Sequence, residues 1–238
     1  MNIATFQKHV SKANIGSVVT TINEDLNYCD SQGVDIACFP ECHLTGYHLE
    51  KEDIEQNALS LDSPRLRLYL QAWSNFKATF ILGLIEKTDQ GYFNSAMVIS
   101  QGKILGCYRK THPNEKYLLA GEDYPVFSND TLFGINICND ANYPDAAYRL
   151  AEQGAKLLFY PLNNLLRKDV ADKWRAKSPE NLQLRAQETG CWVISSDVAG
   201  VDGEKMSYGC TQIVSPSGKV IAFVPELKQG YTSAIIPV

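Results

Sequence analysis

The feature that most constrains the fold of this chain is an alternation of short apolar runs with segments whose apolar residues recur at helical spacing. Residues 34–39 form a run that is apolar except for Asp35, of the kind found in buried parallel strands. The segment before that run has helical spacing, with apolar residues at Ile15, Val18, Val19, Ile22, Leu26 and Cys29. Strands alternating with helices predict an α/β protein with mixed β-sheets.

The same patterns predict elements along the rest of the chain. Strands are expected at 3–6, 34–39, 80–85, 96–99, 103–108, 132–137, 157–160, 192–196, 209–214, 219–224 and 231–236. Helices are expected at 15–29, from 64 onward, at 144–153 and at 180–189. No linker or short repeat divides the 238 residues, of which 45% are hydrophobic, so we expect a single domain over residues 1–238.

Charge and cysteine content narrow the class of protein. The 22 basic and 27 acidic residues give a formal net charge of -5, and no Lys/Arg cluster occurs, which argues against nucleic acid or membrane as a partner. The first ten residues lack the apolar stretch of a signal peptide. Seven cysteines are scattered through apolar segments, as expected of reduced thiols in a cytoplasmic protein.

Three polar residues with complementary chemistry follow predicted strands. Glu41 comes after the run 34–39, Lys110 after 103–108, and Cys138 after 132–137. In α/β folds ligands and catalytic groups gather at the carboxyl ends of strands. A thiol needs a base or a nearby positive charge to act as a nucleophile, and Glu41 and Lys110 would supply these. We therefore predict a cysteine nucleophile with a glutamate and a lysine beside it.

The segments that carry these residues resemble the nitrilase superfamily of carbon–nitrogen hydrolases. The resemblance includes FPECHLTGY (39–47), YRKTHPNEKYLLAG (108–121) and ICNDANYPDAAYRLAEQGAKLLFYP (137–161), and it extends over nearly the whole chain. It implies a four-layer αββα sandwich of two mixed β-sheets flanked by helices, paired into a homodimer or higher homo-oligomer. It also implies catalysis without metal or organic cofactor.

The resemblance further implies a role for each site residue. The Glu–Lys–Cys triad of the family maps onto Glu41, Lys110 and Cys138, and its additional glutamate onto Glu115, which would orient Lys110 or the substrate nitrogen. Lys110 and the backbone N–H of Asn139 would stabilise the oxyanion, while Glu41 would act as base and then as acid. Loops expected to border the pocket carry further candidates for substrate contact, namely Tyr47, Tyr117, Tyr143 and Asn163.

Several positions bear on the substrate. Asp145, Asp197 and Pro113 differ from the residues common in the family, but none of them removes a catalytic group. The stretch NDANYPD after the nucleophile is closer to amidases and carbamoylases than to nitrilases, and it lacks the arginines that resemble a carboxylate clamp in D-amino-acid carbamoylases. A small-molecule amide is therefore the expected substrate. Hydrolysis of N-carbamoyl amino acids or amines, nitrile hydrolysis and a catalytically silent binding protein are the alternatives.

The cysteines and histidines could also indicate a metal site or a cysteine–histidine hydrolase. Cys38, Cys42, His43 and His48 fit no familiar zinc spacing, so no metal is expected. A papain-like hydrolase would need His43 or His112 as partner. Of the seven thiols we expect Cys138 to be the most reactive, because Lys110 and a helix starting near Pro144 would favour its thiolate.

Overall fold

Two β-sheets lie face to face in the computed structural model, which describes residues 1–10 and 14–237. The strands of the first sheet are β1 (Asn2–His9), β2 (Ile36–Cys38), β3 (Thr79–Lys87), β4 (Tyr92–Ser100), β5 (Lys103–Arg109), β9 (Leu166–Arg167), β11 (Val198–Asp202), β12 (Lys205–Ser207) and β15 (Gly230–Ile235). Those of the second sheet are β6 (Val126–Asn129), β7 (Thr131–Ile135), β8 (Leu157–Pro161), β10 (Trp192–Ser196), β13 (Gln212–Val214) and β14 (Val220–Phe223).

Both sheets are mixed, with parallel strands at their centres. The first sheet runs in the order β5-β4-β3-β2-β1-β11-β12-β9, and β15 pairs antiparallel with β1. The second sheet runs β14-β13-β10-β8-β7-β6, in which β7, β8 and β10 are parallel. The parallel strands bring the chain segments that follow them to a common edge of each sheet.

Strand β2 shows why the central strands are apolar on both faces. Ile36 and Cys38 point into the cluster between the two sheets, while Ala37 points into the cluster on the other side of the first sheet. Because successive side chains alternate between faces, a strand covered on both sides must be apolar throughout. This explains why residues 36–39 are all apolar.

Helices cover the outer face of each sheet and complete four layers. The helices are α1 (Ile15–Ser31), α2 (Lys51–Asn57), α3 (Pro64–Ala72), α4 (Pro144–Glu152) and α5 (Lys168–Thr189). Leu26 of α1 and Leu66 of α3 pack in the cluster outside the first sheet, and Leu150 of α4 and Leu182 of α5 in the cluster outside the second. The predicted αββα sandwich is confirmed.

Side-chain caps fix where two of these helices begin. The Asn14 side chain accepts a hydrogen bond from Ser17 N at 3.1 Å at the start of α1. Ser63 caps α3 in the same way. Pro64 occupies the first turn, where backbone N–H groups make no hydrogen bond within the helix, so the lack of an N–H on proline costs nothing there. The expected beginning of this helix at residue 64 is confirmed.

The prediction for the helix at 180–189 was wrong about where it begins. Helix α5 starts at Lys168 and continues through Pro179, twelve residues earlier than expected. A proline inside a helical pattern usually marks a boundary, because it lacks an N–H and clashes with the preceding turn. Here tertiary packing of Ala171 and Leu182 holds both halves in one helix. The sequence patterns also missed α2, β6, β9, β11 and β12.

Within residues 1–10 and 14–237, every helix is too short or too polar to cross a membrane.

Candidate active site

Glu41 lies just beyond β2, at a point where the two sheets are joined. Its backbone N–H donates to the carbonyl of Leu162, which follows β8 of the other sheet, at 3.1 Å. Strand β3 passes directly behind this turn at Gly83, and a Cβ there would collide with the backbone nitrogen of Cys42. Glycine at position 83 therefore lets the backbone that carries Glu41 approach the sheet closely.

Lys110 follows β5 and reaches two carboxylates. Its Nζ lies 2.8 Å from Glu41 Oε1 and 2.9 Å from Glu115 Oε1. All three side chains are buried, with 1%, 1% and 4% exposure for Lys110, Glu41 and Glu115. Charges removed from water to this degree persist only when they are paired and hydrogen-bonded. The structure brings these predicted residues into one network.

Asn94 and Tyr47 complete the hydrogen bonding of the two carboxylates. Asn94 Nδ2 donates to Glu41 Oε1 at 2.7 Å and to Glu115 Oε1 at 3.2 Å. The Tyr47 hydroxyl donates to Glu115 Oε1 at 2.7 Å. In contrast, Glu41 Oε2 is buried and has no hydrogen-bond partner among the residues that the structure describes. One carboxylate oxygen of Glu41 is thus held, and the other is available to accept a proton.

Cys138 opens a 3-10 turn over Cys138–Asn142 that follows β7. Its φ of 43° lies in the left-handed region, which is uncommon for a residue with a side chain and occurs often at functional sites. The expected strand up to residue 137 ends two residues earlier, at Ile135. Cys138 is half-buried and lines the same pocket as Lys110.

Asp140 fixes the turn that carries Cys138. Its Oδ2 accepts hydrogen bonds from Ile137 N and from the Tyr108 hydroxyl, both at 2.8 Å. Its Oδ1 accepts from His112 N at 2.9 Å. The carboxylate therefore ties the turn that begins at Cys138 to the segment around Lys110. Charge-assisted bonds of this kind are stronger than neutral ones, which suits them to hold a strained backbone in place.

Burial and charge shift the pKa values of the Glu–Lys pair in ways that favour acid–base work. Burial raises the pKa of Glu41 to about 7, although the charge of Lys110 draws it downward. Burial lowers the pKa of Lys110, but the combined attraction of Glu41, Cys138 and Glu115 outweighs this effect and holds that pKa well above its ordinary value. Glu41 thus exchanges a proton near neutral pH, while Lys110 stays charged.

Burial opposes the thiolate form of Cys138 that the sequence pattern favours. Burial raises the pKa of the Cys138 thiol well above its ordinary value, and the Glu41 charge raises it further. Lys110 and a hydrogen bond with the backbone of Asn163 lower it, but they do not compensate. Desolvation of the thiolate outweighs the nearby cation, so the resting thiol is protonated and depends on a base.

A pocket of about 280 Å³ opens above Cys138 and Lys110. Three of the predicted substrate-contact residues, Tyr47, Asn139 and Asn163, line it. The walls formed by the described residues do not include Tyr117 or Tyr143. The Tyr143 ring stacks on His112 instead, with ring centroids 3.7 Å apart. Tyr117 packs under the Lys116 ammonium at 4.9 Å. These two aromatics serve local packing on loops outside the pocket.

Sequence patterns missed three residues of the site. Asn94 lies on β4 two residues before the predicted strand 96–99, and its buried amide requires a partner. Asp140 lies two residues after Cys138, and its acceptor role depends on contacts made only in the fold. Trp174 lines the pocket from the part of α5 that was not predicted.

The cysteines and histidines near residue 40 are used for packing and hydrogen bonding. The Cys42 thiol lies 3.3 Å from Asn94 Oδ1, and the His43 ring stacks on Phe39 with centroids 5.7 Å apart. Within residues 1–10 and 14–237, no three His, Cys, Asp or Glu side chains form a group able to hold a metal ion.

Comparison with known proteins places this geometry in context. A family model described as carbon-nitrogen hydrolase matches residues 3–238. A probable nitrilase from Schizosaccharomyces pombe is 25% identical over 232 residues, which cover 93% of this chain and 82% of that protein. An (R)-stereoselective amidase from a Pseudomonas species is 26% identical over 192 residues, or 79% of this chain and 68% of the amidase.

Solved structures show the same fold. An amidase from Nesterenkonia sp. AN1, with an acrylamide adduct on its active-site cysteine, superposes with a TM-score of 0.84 at 20% identity. The superposition covers 100% of this chain and 93% of the amidase. Nit3 from Saccharomyces cerevisiae, a member of the nitrilase superfamily, gives a TM-score of 0.84 at 19% identity over 98% of this chain and 89% of that one.

Proposed function

This chain belongs to the carbon–nitrogen hydrolase family, and from that premise we propose that it hydrolyses a small-molecule amide to a carboxylic acid and ammonia through an acyl-enzyme on Cys138. The observation that carries this proposal is the buried Glu41–Lys110 pair, 2.8 Å apart, beside the pocket that Cys138 lines. A proton acceptor with a pKa of about 7, a fixed cation and a thiol form a complete set of groups for acyl transfer.

In the first half of the reaction Cys138 Sγ attacks the amide carbon while its proton passes to Glu41. We assign the acceptor to Oε2, the carboxylate oxygen without a partner among the described residues. Lys110 and the Asn139 backbone N–H stabilise the oxyanion. Glu41 then gives its proton to the nitrogen, the carbon–nitrogen bond breaks, and ammonia leaves a thioester on Cys138.

In the second half water attacks the thioester carbon and Glu41 accepts a proton from it. Collapse of the second tetrahedral intermediate breaks the carbon–sulfur bond, and the proton on Glu41 returns to the Cys138 thiol. The products are a carboxylic acid and the original enzyme. A carboxyl group whose pKa lies near the working pH is suited to act alternately as base and acid.

Glu115 and Asn94 act as positioning residues in this scheme. Burial raises the pKa of Glu115, but Lys110 and the Tyr47 hydroxyl draw it below the ordinary range, so Glu115 remains ionised. It therefore anchors the Lys110 ammonium at 2.9 Å without competing for the proton. This leaves proton transfer to Glu41 alone.

The test is a screen for ammonia release from primary amides, N-carbamoyl amino acids and nitriles by the purified protein, with Cys138→Ala as the matched control. We expect the highest kcat/KM with an amide and no activity in the control. Preference for a carbamoyl compound or a nitrile would replace the amide in the proposal. A folded protein that is inactive across the whole panel would favour a binding role instead.

A further inference from the structure

The pocket has a charged floor, formed by Lys110, and a wall of uncharged side chains. Lys110 is the only charged residue among the described residues that line the pocket. The other polar groups are mostly carboxamides, contributed by Asn114, Asn139, Asn142, Asn163, Asn164 and Asn181. A carboxamide both donates and accepts hydrogen bonds but carries no net charge. The wall is therefore equipped for neutral polar groups.

The positive charge of Lys110 is already compensated within the protein. Glu115 is ionised and lies 2.9 Å from the ammonium, and Glu41 lies 2.8 Å from it. With one cation and up to two anions, the floor is neutral or negative. A carboxylate entering the pocket would lose water and meet no surplus positive charge, which is costly for a buried ion.

One face of α5 forms the outer wall. Val170, Trp174, Ser178, Asn181 and Leu182 all line the pocket, and their spacing places them within one side of the helix. An indole and aliphatic side chains here offer contact for an apolar chain, and Asn181 with Ser178 offers hydrogen bonds. The acyl part of a substrate attached to Cys138 would lie along this face.

Asn181 also connects this helix to the nucleophile turn. Its Nδ2 donates to Asn142 Oδ1 at 2.6 Å, and Asn142 Nδ2 donates to Asn139 Oδ1 at 2.9 Å. Asn139 Nδ2 in turn donates to the His112 carbonyl at 2.9 Å. These bonds fix the orientation of successive carboxamides along one wall, so that their remaining donors and acceptors are pre-organised for a ligand.

From these observations we propose that the substrate is an amide with an uncharged acyl group. This acyl group consists of an aliphatic segment that ends in a hydrogen-bonding group, such as a second carboxamide or a hydroxyl. The site discriminates against acyl groups that bear a carboxylate. This inference rests on the proposed amide hydrolysis for its chemistry. The discrimination between neutral and carboxylate-bearing acyl groups depends on the residues of the pocket wall, and it can be measured by binding as well as by turnover.

The decisive comparison uses pairs of compounds that differ in one terminal group. Succinamide, glutaramide and adipamide are neutral diamides, and the corresponding half-acids replace one carboxamide with a carboxylate of nearly the same shape. At pH 8 every half-acid is ionised. We expect kcat/KM for the best diamide to exceed that for its half-acid by at least about tenfold, corresponding to a difference of about 1.4 kcal/mol.

A charge introduced on the wall should reverse this preference. Ser178→Arg places a guanidinium on the pocket face of α5, and we expect it to raise kcat/KM for the half-acid relative to the diamide by about tenfold. Ala176→Arg is the matched control, because Ala176 is exposed and lies on the opposite side of the same helix. It should leave the ratio of the wild-type protein unchanged.

Calorimetric binding to Cys138→Ala separates this inference from the proposed reaction. If diamides bind more tightly than half-acids but neither is hydrolysed by the wild-type protein, the preference for neutral ligands stands and the proposed amide hydrolysis fails. If the wild-type protein hydrolyses half-acids as well as or better than diamides, amide hydrolysis stands and this inference is overturned. Equal or tighter binding of the half-acids, or no binding of either class at any chain length, also overturns it.

Discussion

Asn94 Nδ2 lies 2.7 Å from Glu41 Oε1 and holds the oxygen that also accepts from Lys110. Because a hydrogen bond to the ionised form stabilises it, Asn94 lowers the pKa of Glu41 against the larger effect of burial. Asn94 therefore affects both the position and the proton affinity of Glu41, the proposed base. It belongs to the site as much as the residues that follow strand ends.

Replacing this amide should reduce the rate and shift its pH dependence. We expect Asn94→Ala to lower kcat by about tenfold or more, since hydrogen bonds to charged groups contribute about 1.5–3 kcal/mol. The acid limb of the kcat/KM profile should move to higher pH, because the pKa of Glu41 rises without its donor. Steady-state kinetics from pH 5 to 9 measure both effects.

Ser95→Ala is the matched control for Asn94→Ala. Ser95 is also buried on β4, but it donates at 2.7 Å to Glu86, a carboxylate outside the pocket. A drop in kcat that is equal in the two variants, without a shift of the acid limb in Asn94→Ala, would assign Asn94 a purely structural role.

The wild-type protein should lose activity as the pH falls through neutrality. Glu41 acts as a base only when it is ionised, and its pKa is about 7. We therefore expect kcat/KM for a neutral amide to be near its plateau above pH 8 and to fall about tenfold for each pH unit well below 7. A profile that stays flat from pH 8 down to pH 5 would exclude a base with this pKa.

Much of this fold could be predicted from hydrophobic periodicity. The largely apolar run at 34–39 predicted the right strand because both faces of β2 are covered. The two predicted strands 96–99 and 103–108 are joined at Gln101 and Gly102, and both residues have positive φ. Strands such as β9 and β12 were missed because they have only two and three residues, too few to show a period.

Some features of the site could likewise be predicted from the sequence, and others depend on the fold. Glu41, Lys110 and Cys138 could be placed because each follows a strand, where chemistry concentrates in α/β folds. Local sequence could not show that burial would raise the pKa of Cys138, because this depends on how far the surrounding segments exclude water. Nor could it show that α5 passes beside the pocket, since Pro179 interrupts the helical pattern.

Removing the proton acceptor should abolish most of the activity without unfolding the protein. Glu41→Gln retains an oxygen able to accept from Lys110, but it cannot take a proton from Cys138. We expect kcat to fall by a factor on the order of 10² or more, as is typical when a general base is lost. Glu122→Gln, an exposed change of the same kind, should leave kcat unaltered. Near wild-type turnover in folded Glu41→Gln protein would rule out the assigned role.

Lys110 should not tolerate even a conservative replacement. Its ammonium makes two contacts of 2.8 and 2.9 Å inside a buried network, and the larger planar guanidinium of Lys110→Arg does not fit the same geometry. We expect kcat to fall by about 10²–10³, the usual effect of losing an oxyanion donor. Lys116→Arg, exposed on the same segment, is the control. An active Lys110→Arg protein would mean that only a diffuse positive charge is needed.

Selective alkylation tests whether Cys138 is the activated thiol. Of the seven cysteines, Cys29, Cys38, Cys42, Cys191 and Cys210 are buried, and Cys107 and Cys138 are half-buried. Burial raises the pKa of Cys107 to about 12 and that of Cys138 well above its ordinary value, so neither is a free thiolate. Cys138 differs in lying within electrostatic range of Glu41, its proposed proton acceptor, and in lining the pocket.

Limiting iodoacetamide should therefore label Cys138 first, with activity lost in step with the incorporation of one equivalent. Because the thiol depends on its base, Glu41→Gln should slow this labelling, whereas a low pKa set by Lys110 alone would leave the rate unchanged. Peptide mapping after partial reaction gives the site, and Cys107 is the internal reference for a half-buried thiol outside the pocket. First labelling at Cys107 or Cys42 while hydrolysis continues would show that Cys138 is not the nucleophile.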